Sequence, residues 1–380
     1  MDEINTKKYI IRHIEKRVRD NLYKDKIIIV YGPRQVGKTT MVKNILKDHE
    51  GEYYSCDDPL SRSRFENKNT EELLQLVKGV KLIVIDEAQM VENIGITLKL
   101  LHDNNPKLQI IATGSSSFDL ANKIKEPLTG RAIEYILLPP SISEIAETIG
   151  AHKTQSLIGI INVYGSYPGV LFGNINKEEL LINISNQYLY KDLLKYESIR
   201  KPELLEKLLK VLATSVGSEI SYTEIANTLD VHKATIETYI SYLEQAFIIY
   251  KVLPYSINIR TQISKKRKIY FYDNGIRNAI LGVFDVIDNR IDKGHIFENF
   301  VFTEYRKVLL YKNYGIARQY FLRTYDKQEV DMIVEDHGIV SAYEIKWKEQ
   351  KLKIPSVWKN NFKNKNIQQI NYSNCYQFLI

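Results

Sequence analysis

Short apolar runs rich in branched side chains recur through the first third of the chain: Lys26–Tyr31, Leu82–Ile85, Gln109–Thr113 and Ile133–Leu138. A run this brief, with no polar alternation, is what a strand buried on both faces of a parallel sheet requires. Helical periodicity fills the intervals, so this part reads as α/β, five strands joined by crossovers. Beyond Gly150 the pattern turns helical up to about Gly217, notably over Glu179–Tyr196 and Glu203–Val216, with a Tyr-Pro-Gly turn at Tyr167–Gly169. Two helices separated by a short turn follow: the first is capped by Ser221 or Thr223 and ends near Leu229, the second begins near Lys233, the spacing of a helix-turn-helix. Gly294–Leu310 is an amphipathic helix whose apolar side, Phe297, Phe300, Val301 and Tyr305, is interrupted by Glu298. Three strand-like segments, Ala317–Tyr325, Glu329–Val334 and Gly338–Trp347, then a lysine-rich helix and a last strand complete the order.

A length of 380 residues exceeds one hydrophobic core. The pattern divides it into residues 1–150, a helical segment 151–216, a helix-turn-helix segment 217–285 and a closing α/β segment 286–380. With 44% hydrophobic and 26% charged residues the chain is expected to fold throughout. Cys56 and Cys375 are too few and too far apart in sequence for a disulfide framework or a cysteine zinc site, which suits a reducing, cytoplasmic compartment. Acids near the start and the lack of a long apolar run predict neither export nor a membrane span. The formal charge of +7 is mild, but its distribution is uneven. Seven lysines and one acid, Glu349, lie between Lys346 and Lys365, and Tyr255–Ile269 carries Arg260, Lys265, Lys266, Arg267 and Lys268 without an acid.

Three polar segments sit where apolar runs end. The first run passes into Gly32-Pro33-Arg34-Gln35-Val36-Gly37-Lys38-Thr39, which matches G-x-x-x-x-G-K-[ST] at every fixed position, between a strand and a helix. Together with Thr40, these residues form a phosphate cradle: the glycines let backbone N–H groups curl round an anion at a helix N-terminus. Lys38 would reach the β- and γ-phosphates of ATP, and the Thr39 hydroxyl would ligate Mg²⁺. The second run ends in Asp86 and Glu87, acids that suit a metal-holding aspartate and a base that orients the attacking water. At the third, one of Thr113, Ser115 or Ser116 is placed to sense the γ-phosphate, with Ser115 taken for the site. Arg131, just before the fourth run, is a candidate for the charge that stabilises the transferring phosphoryl group, in cis or in a neighbouring subunit of a homo-oligomer; a surface arginine packed against acids is the alternative.

The set YGPRQVGKTT, VIDEAQ, ATGSSS and LTGRAIEYILLPPSISE resembles the AAA-type prokaryotic ATPases that carry a DUF4143-type carboxyl-terminal region, allied to archaeal and STAND-like ATPases. The segments YFYDNGIRNAILG, GHIFENFV and EVDMIVE…YEIKW are similar to that region, so the resemblance spans nearly the whole chain. It implies a P-loop NTPase parallel-sheet domain whose helical lid, residues 151–216, closes over nucleotide. The segment 217–285 reads as a winged helix, with Lys265–Lys268 near the tip of its β-wing before a strand Ile269–Tyr272. Lys233, Thr235 and Thr238 would face a DNA groove, or the module serves as a protein contact.

Asp331 lies in the second of the late strands, while Glu344 and Lys346 alternate onto one face of the third. The spacing D-x12-E-x-K resembles the restriction-endonuclease-like nucleases, with Glu298 matching the acid of the preceding helix; Val330 departs from the proline common there, and Glu329 offers another acid. On that resemblance Glu298, Asp331 and Glu344 would hold Mg²⁺ and Lys346 would activate water; an inactive nuclease-like fold and solvated strand charges are the alternatives. Trp347, Trp358 and Phe362, interleaved among the lysines, would help a basic surface track a phosphate backbone. The expectation is an ATP-hydrolysing, DNA-associated protein whose nuclease is gated by nucleotide. Its rivals are a STAND-like signalling or defence switch with non-catalytic binding modules, and a DNA-binding regulator that does not cut.

Overall fold

A computed structural model describes residues 9–115, 124, 127–187, 201–255, 267–312, 318–324, 328–362 and 366–380. The described chain divides into two compact units: Arg12–Leu138 with Gln245–Phe247, and Pro139–Glu244 with Ile248–Ile380. The first boundary thus falls ahead of residue 150, where the helical pattern begins.

In the first unit the strands β1 (Ile27–Tyr31), β2 (Gly51–Ser55), β3 (Leu82–Asp86), β4 (Gln109–Gly114) and β5 (Ala132–Ile136) form one parallel sheet in the order β2-β3-β4-β1-β5. The apolar runs explain the order: β1, β3 and β4 are buried at every position and occupy the interior of the sheet, while β2 and β5 are half exposed and take its edges. Each fully buried Ile, Val or Leu contributes about 1.5–3 kcal/mol of hydrophobic stabilisation. The strand β2, GEYYS, was not marked by an apolar run because it has solvent on one side.

In the second unit, strands β6 (Glu219–Ile220), β7 (Ile249–Pro254), β8 (Arg267–Phe271), β9 (Arg318–Arg323), β10 (Glu329–Asp336), β11 (Ile339–Lys346) and β12 (Ile367–Asn371) share one mixed sheet, ordered β12-β11-β10-β9-β7-β8-β6. The helices Tyr222–Thr228 and Lys233–Gln245 precede the antiparallel pair β7–β8, and Ser221, not Thr223, caps the first of them by accepting the Glu224 N–H at 3.3 Å. The helix Lys293–Lys312, antiparallel β9–β10–β11, the short helix Ser356–Asn361 and β12, parallel to β11, follow in the order read from the sequence. A parallel pairing of Leu253 and Pro254 with Tyr320 and Phe321 joins β7 to β9, so the sheet runs without a break across residue 285. Between Val330 and Ile333 the register of β10 against β9 shifts, a bulge that contains Asp331.

Helices Lys177–Gln187 and Pro202–Thr214 overlap the two helical stretches read from the sequence, each starting one or two residues earlier; residues 188–200 fall outside the described residues. Among the described residues no helix is long and apolar enough to cross a membrane.

Candidate functional site

The phosphate loop leaves the carboxyl end of β1 and enters the helix Lys38–Leu46. Its backbone is unusual at three positions: Gly32 at φ 151°, Gln35 at φ 61° and Gly37 at φ 98°. At Gly32 a side chain is impossible, because a Cβ would stand 2.0 Å from the Leu137 carbonyl oxygen. Gln35 holds a left-handed conformation without glycine's freedom, the kind of local strain that a loop folded round a ligand stores. Val36 and Pro33 are buried, Arg34 is half-buried, and Gln35 and Thr40 are exposed. From the helix His13–Asp20 side, the buried Arg12 guanidinium donates to the Val36 carbonyl at 2.7 Å and to the Leu138 carbonyl, clamping the loop to the end of β5. Arg12 was not singled out from the sequence, where it has no motif around it.

Lys38 is buried, its ammonium donating to the carbonyls of Gly32 and Pro33, both at 2.8 Å. Thr39 donates its hydroxyl to Asp86 Oδ2 at 2.6 Å, so the helix and β3 meet at this point. Asp86, 2% exposed, also accepts from Tyr53 at 2.6 Å on Oδ2 and from Thr113 on Oδ1. The Glu87 N–H donates to Thr113 Oγ1 at 3.2 Å, and the residue sits at φ 53°. Its carboxylate accepts from Gln89, whose amide also reaches Ser115 Oγ at 3.2 Å. The structure therefore brings together Lys38, Thr39, Asp86, Glu87 and Ser115, with Thr113 as the link between the two acids; Ser116 falls outside the described residues. Tyr53 and Gln89 were missed by motif reading, although Gln89 stands in the quoted DEAQ.

Arg131 lies elsewhere. Its carbonyl accepts from Ile27, the first residue of β1, so it stands at the opposite end of a five-residue strand from the phosphate loop. At a rise of about 3.3 Å per residue that is about 16 Å along the sheet. Its guanidinium forms a bidentate pair with Asp103, at 2.7 and 3.1 Å, and both partners are exposed. Action in cis is incompatible with this placement, and the pair with Asp103 matches the alternative reading, a surface arginine packed against an acid.

A second cluster forms in the other unit. Lys346 Nζ lies 2.7 Å from Asp331 Oδ2 and 3.0 Å from Glu344 Oε2, and the Ile345 N–H donates to the same Asp331 oxygen at 2.8 Å. Burial first, and then Asp331, push the Glu344 carboxyl up to about 7, against the pull of Lys346. Burial likewise works against charge on Lys346, but Asp331 and Glu344 outweigh it and raise its pKa. Glu298 is brought to Lys268 Nζ at 3.2 Å and accepts the Tyr270 hydroxyl at 2.7 Å, and Lys268 also pairs with Glu329 at 2.9 Å. Burial raises the Glu298 pKa, Lys268 opposes the rise, and Asp331 adds to it, which places the two acids within electrostatic reach. Among the described residues, however, no group of three or more His, Cys, Asp or Glu side chains is arranged to hold a metal ion.

Two basic features differ from their sequence reading. Lys268 is 3% exposed inside β8, which begins at Arg267, so it is an internal cation and not a wing-tip contact for phosphate; Arg260, Lys265 and Lys266 fall outside the described residues. Arg267 stacks over the Tyr222 ring at 4.6 Å. Trp358 is fully buried and stacks on Phe362 at 3.9 Å within a core that includes Val330, Ile333 and Ile367. It fills the fold and cannot stack on a base. On the helix Lys233–Gln245, Lys233 pairs with Glu237 at 3.2 Å and Thr238 donates to the Ala234 carbonyl, both on exposed surface.

Comparison with known proteins agrees with the first unit. Residues 24–146 match the model of an AAA domain, residues 161–286 a domain of unknown function (DUF8612) and residues 293–370 another (DUF4143). An uncharacterized protein of Mycobacterium tuberculosis is 27% identical over 88% of this chain and 73% of its own length. One from Haemophilus influenzae is 24% identical over 81% and 79%. The fold is similar to that of a Walker-type ATPase of Pyrococcus abyssi, with a TM-score of 0.50 and 15% identity over 72% of this chain and 96% of that one. Residues 24–146, with the phosphate loop on β1 and the acidic pair at the end of β3, are thus similar to an AAA domain in sequence, and the chain is similar to a Walker-type ATPase in fold.

Proposed function

We propose that this chain binds ATP with Mg²⁺ at the phosphate loop and hydrolyses it. The observation that carries the reading is the convergence of Lys38, Thr39, Asp86 and Glu87 at the carboxyl ends of β1 and β3, where open α/β sheets take ligands. The loop N–H groups and the start of the helix Lys38–Leu46 receive the phosphates, and Lys38 turns from its carbonyl partners toward them. When bound, Mg²⁺ neutralises charge developing on the phosphoryl oxygens; Thr39 and Asp86 are the side chains that would hold it. Glu87, fixed by Gln89 and by its own N–H on Thr113, accepts a proton from the attacking water. Lys38→Ala is expected to lower ATP hydrolysis by about 100-fold or more, and Glu87→Gln to retain ATP binding while losing turnover. Phosphate release at the unmodified rate from both variants would refute the assignment.

A second activity is favoured by one further observation: Asp331 at a bulge, with Glu344 and Lys346 on the adjacent strand, converge within 3.0 Å of one ammonium. Bulges re-aim side chains beside active sites. Mg²⁺ commonly uses one or two carboxylates and several waters, so Asp331 and Glu344 suffice as its protein ligands without a third acid. In this reading the second unit cuts DNA, and the helix Lys233–Gln245 contributes to DNA binding. Cleavage of supercoiled and linear DNA with Mg²⁺ or Mn²⁺ that disappears in Lys346→Ala is the expected result. Absence of cutting under all conditions, with ATP still hydrolysed, leaves the cluster as an ion-pair network in a binding module.

A further inference from the structure

The edge strand β2 supplies the ATP site with a group outside every nucleotide motif. Ser55 pairs with Asp86 and Tyr53 with Val84 in the β2–β3 register, so Tyr53 and Asp86 project from the same face of the sheet as diagonal neighbours. The Tyr53 hydroxyl donates to Asp86 Oδ2 at 2.6 Å, the oxygen that also receives the Thr39 hydroxyl at 2.6 Å. The Lys43 ammonium lies over its ring, 4.3 Å from the ring centroid. Lys43 is one turn beyond Thr39 on the same helix, so a single helix face carries both the hydroxyl aimed at Asp86 and the cation that fixes the tyrosine. Thr39 has a second duty, since its oxygen is the expected metal ligand. Tyr53 is not an expected metal ligand, and it meets the site through its hydroxyl on Asp86.

We propose that Tyr53 is the positioning residue of the magnesium site, aiming the Asp86 carboxylate so that the metal accompanying ATP meets a fixed oxygen. The inference rests on the reading of Asp86 as the metal-holding acid. Groups that orient a metal ligand through a hydrogen bond typically change metal affinity by about 10- to 100-fold when removed. Tyr53→Phe deletes the hydroxyl and keeps the ring over which Lys43 lies.

The test is fluorescence titration of the full chain with an N-methylanthraniloyl ATP analogue, with and without Mg²⁺, for the unmodified protein, Tyr53→Phe and Asp86→Asn. Tyr53→Phe is expected to bind the analogue unchanged without Mg²⁺ and to need about tenfold more Mg²⁺ at half-saturation with it. An unchanged Mg²⁺ midpoint, or equal weakening with and without Mg²⁺, overturns the proposal; the second result marks a merely structural tyrosine. Asp86→Asn separates the two levels of the argument. If it loses the Mg²⁺ dependence while Tyr53→Phe titrates with the midpoint of the unmodified protein, only the role of Tyr53 falls; if it keeps the dependence, the metal reading of Asp86 falls and takes the proposal with it.

Discussion

Asp273 shows how burial sets the chemistry of a single side chain. It precedes the helix Asn274–Leu281 and accepts the N–H groups of Gly275 at 2.8 Å and Ile276 at 3.2 Å on one oxygen, and that of Ser166 at 2.8 Å on the other. Burial pushes its carboxyl from the ordinary 3.8 up to about 6, although Lys307 and the three N–H donors pull it down. A carboxyl raised in the folded state binds its proton more tightly there than in the unfolded chain. Its stabilising contribution is therefore fully present below 3.8 and is lost as pH rises through about 6. Asp273→Asn keeps an acceptor for the cap but turns an NH₂ toward the Ser166 N–H, so it is expected to melt lower than the unmodified protein. The gap should be widest below about pH 4 and narrow up to about pH 6. Melting curves taken across this range decide it, and a gap independent of pH removes Asp273 as the titrating group. The same scale separates what could be read in advance from what could not. Lys38, Thr39, Asp86 and Glu87 were legible because each sits at a fixed place in a short contiguous motif. Lys268, in a run of basic residues, carried no sign that Glu298 and Glu329 would bury it.

At the scale of elements, local rules were sufficient wherever a segment is stabilised by its own neighbours. The two helices Tyr222–Thr228 and Lys233–Gln245 were visible because the Ser221 cap and the turn before Lys233 are encoded within a few residues. The central strands β1, β3 and β4 declared themselves by having no polar face. The edge strand β2 did not, and it is the element that delivers Tyr53 to Asp86. The bulge in β10 was likewise hidden, since it exists only as a mismatch with β9. Nor could periodicity foresee β7 lying beside β9, a pairing between segments far apart in the chain.

For the whole molecule, the division into two compact units, each with its own sheet, has a thermodynamic consequence. A ligand that binds only one folded unit stabilises that unit by RT ln(1 + [L]/Kd), about 2.7 kcal/mol at about 100 times Kd. Calorimetry is therefore expected to resolve a transition that ATP with Mg²⁺ raises and another that it leaves in place, with Lys38→Ala abolishing the shift. Nucleotide moving every transition equally would show that the units unfold as one. The amino-acid sequence alone determined the phosphate loop, the acids at the end of β3, the α/β character of the first unit and the order of elements from the helix Lys293–Lys312 to β12, because these depend on contacts within a few residues and on which faces are apolar. Only the tertiary structure decided that Arg131 stands at the far end of the sheet from the loop it was expected to serve, that Trp358 is core, and that Tyr53 and Lys268 meet their carboxylates. Those outcomes depend on strand order and register, which are fixed by the burial of many side chains together and leave no mark at any one position.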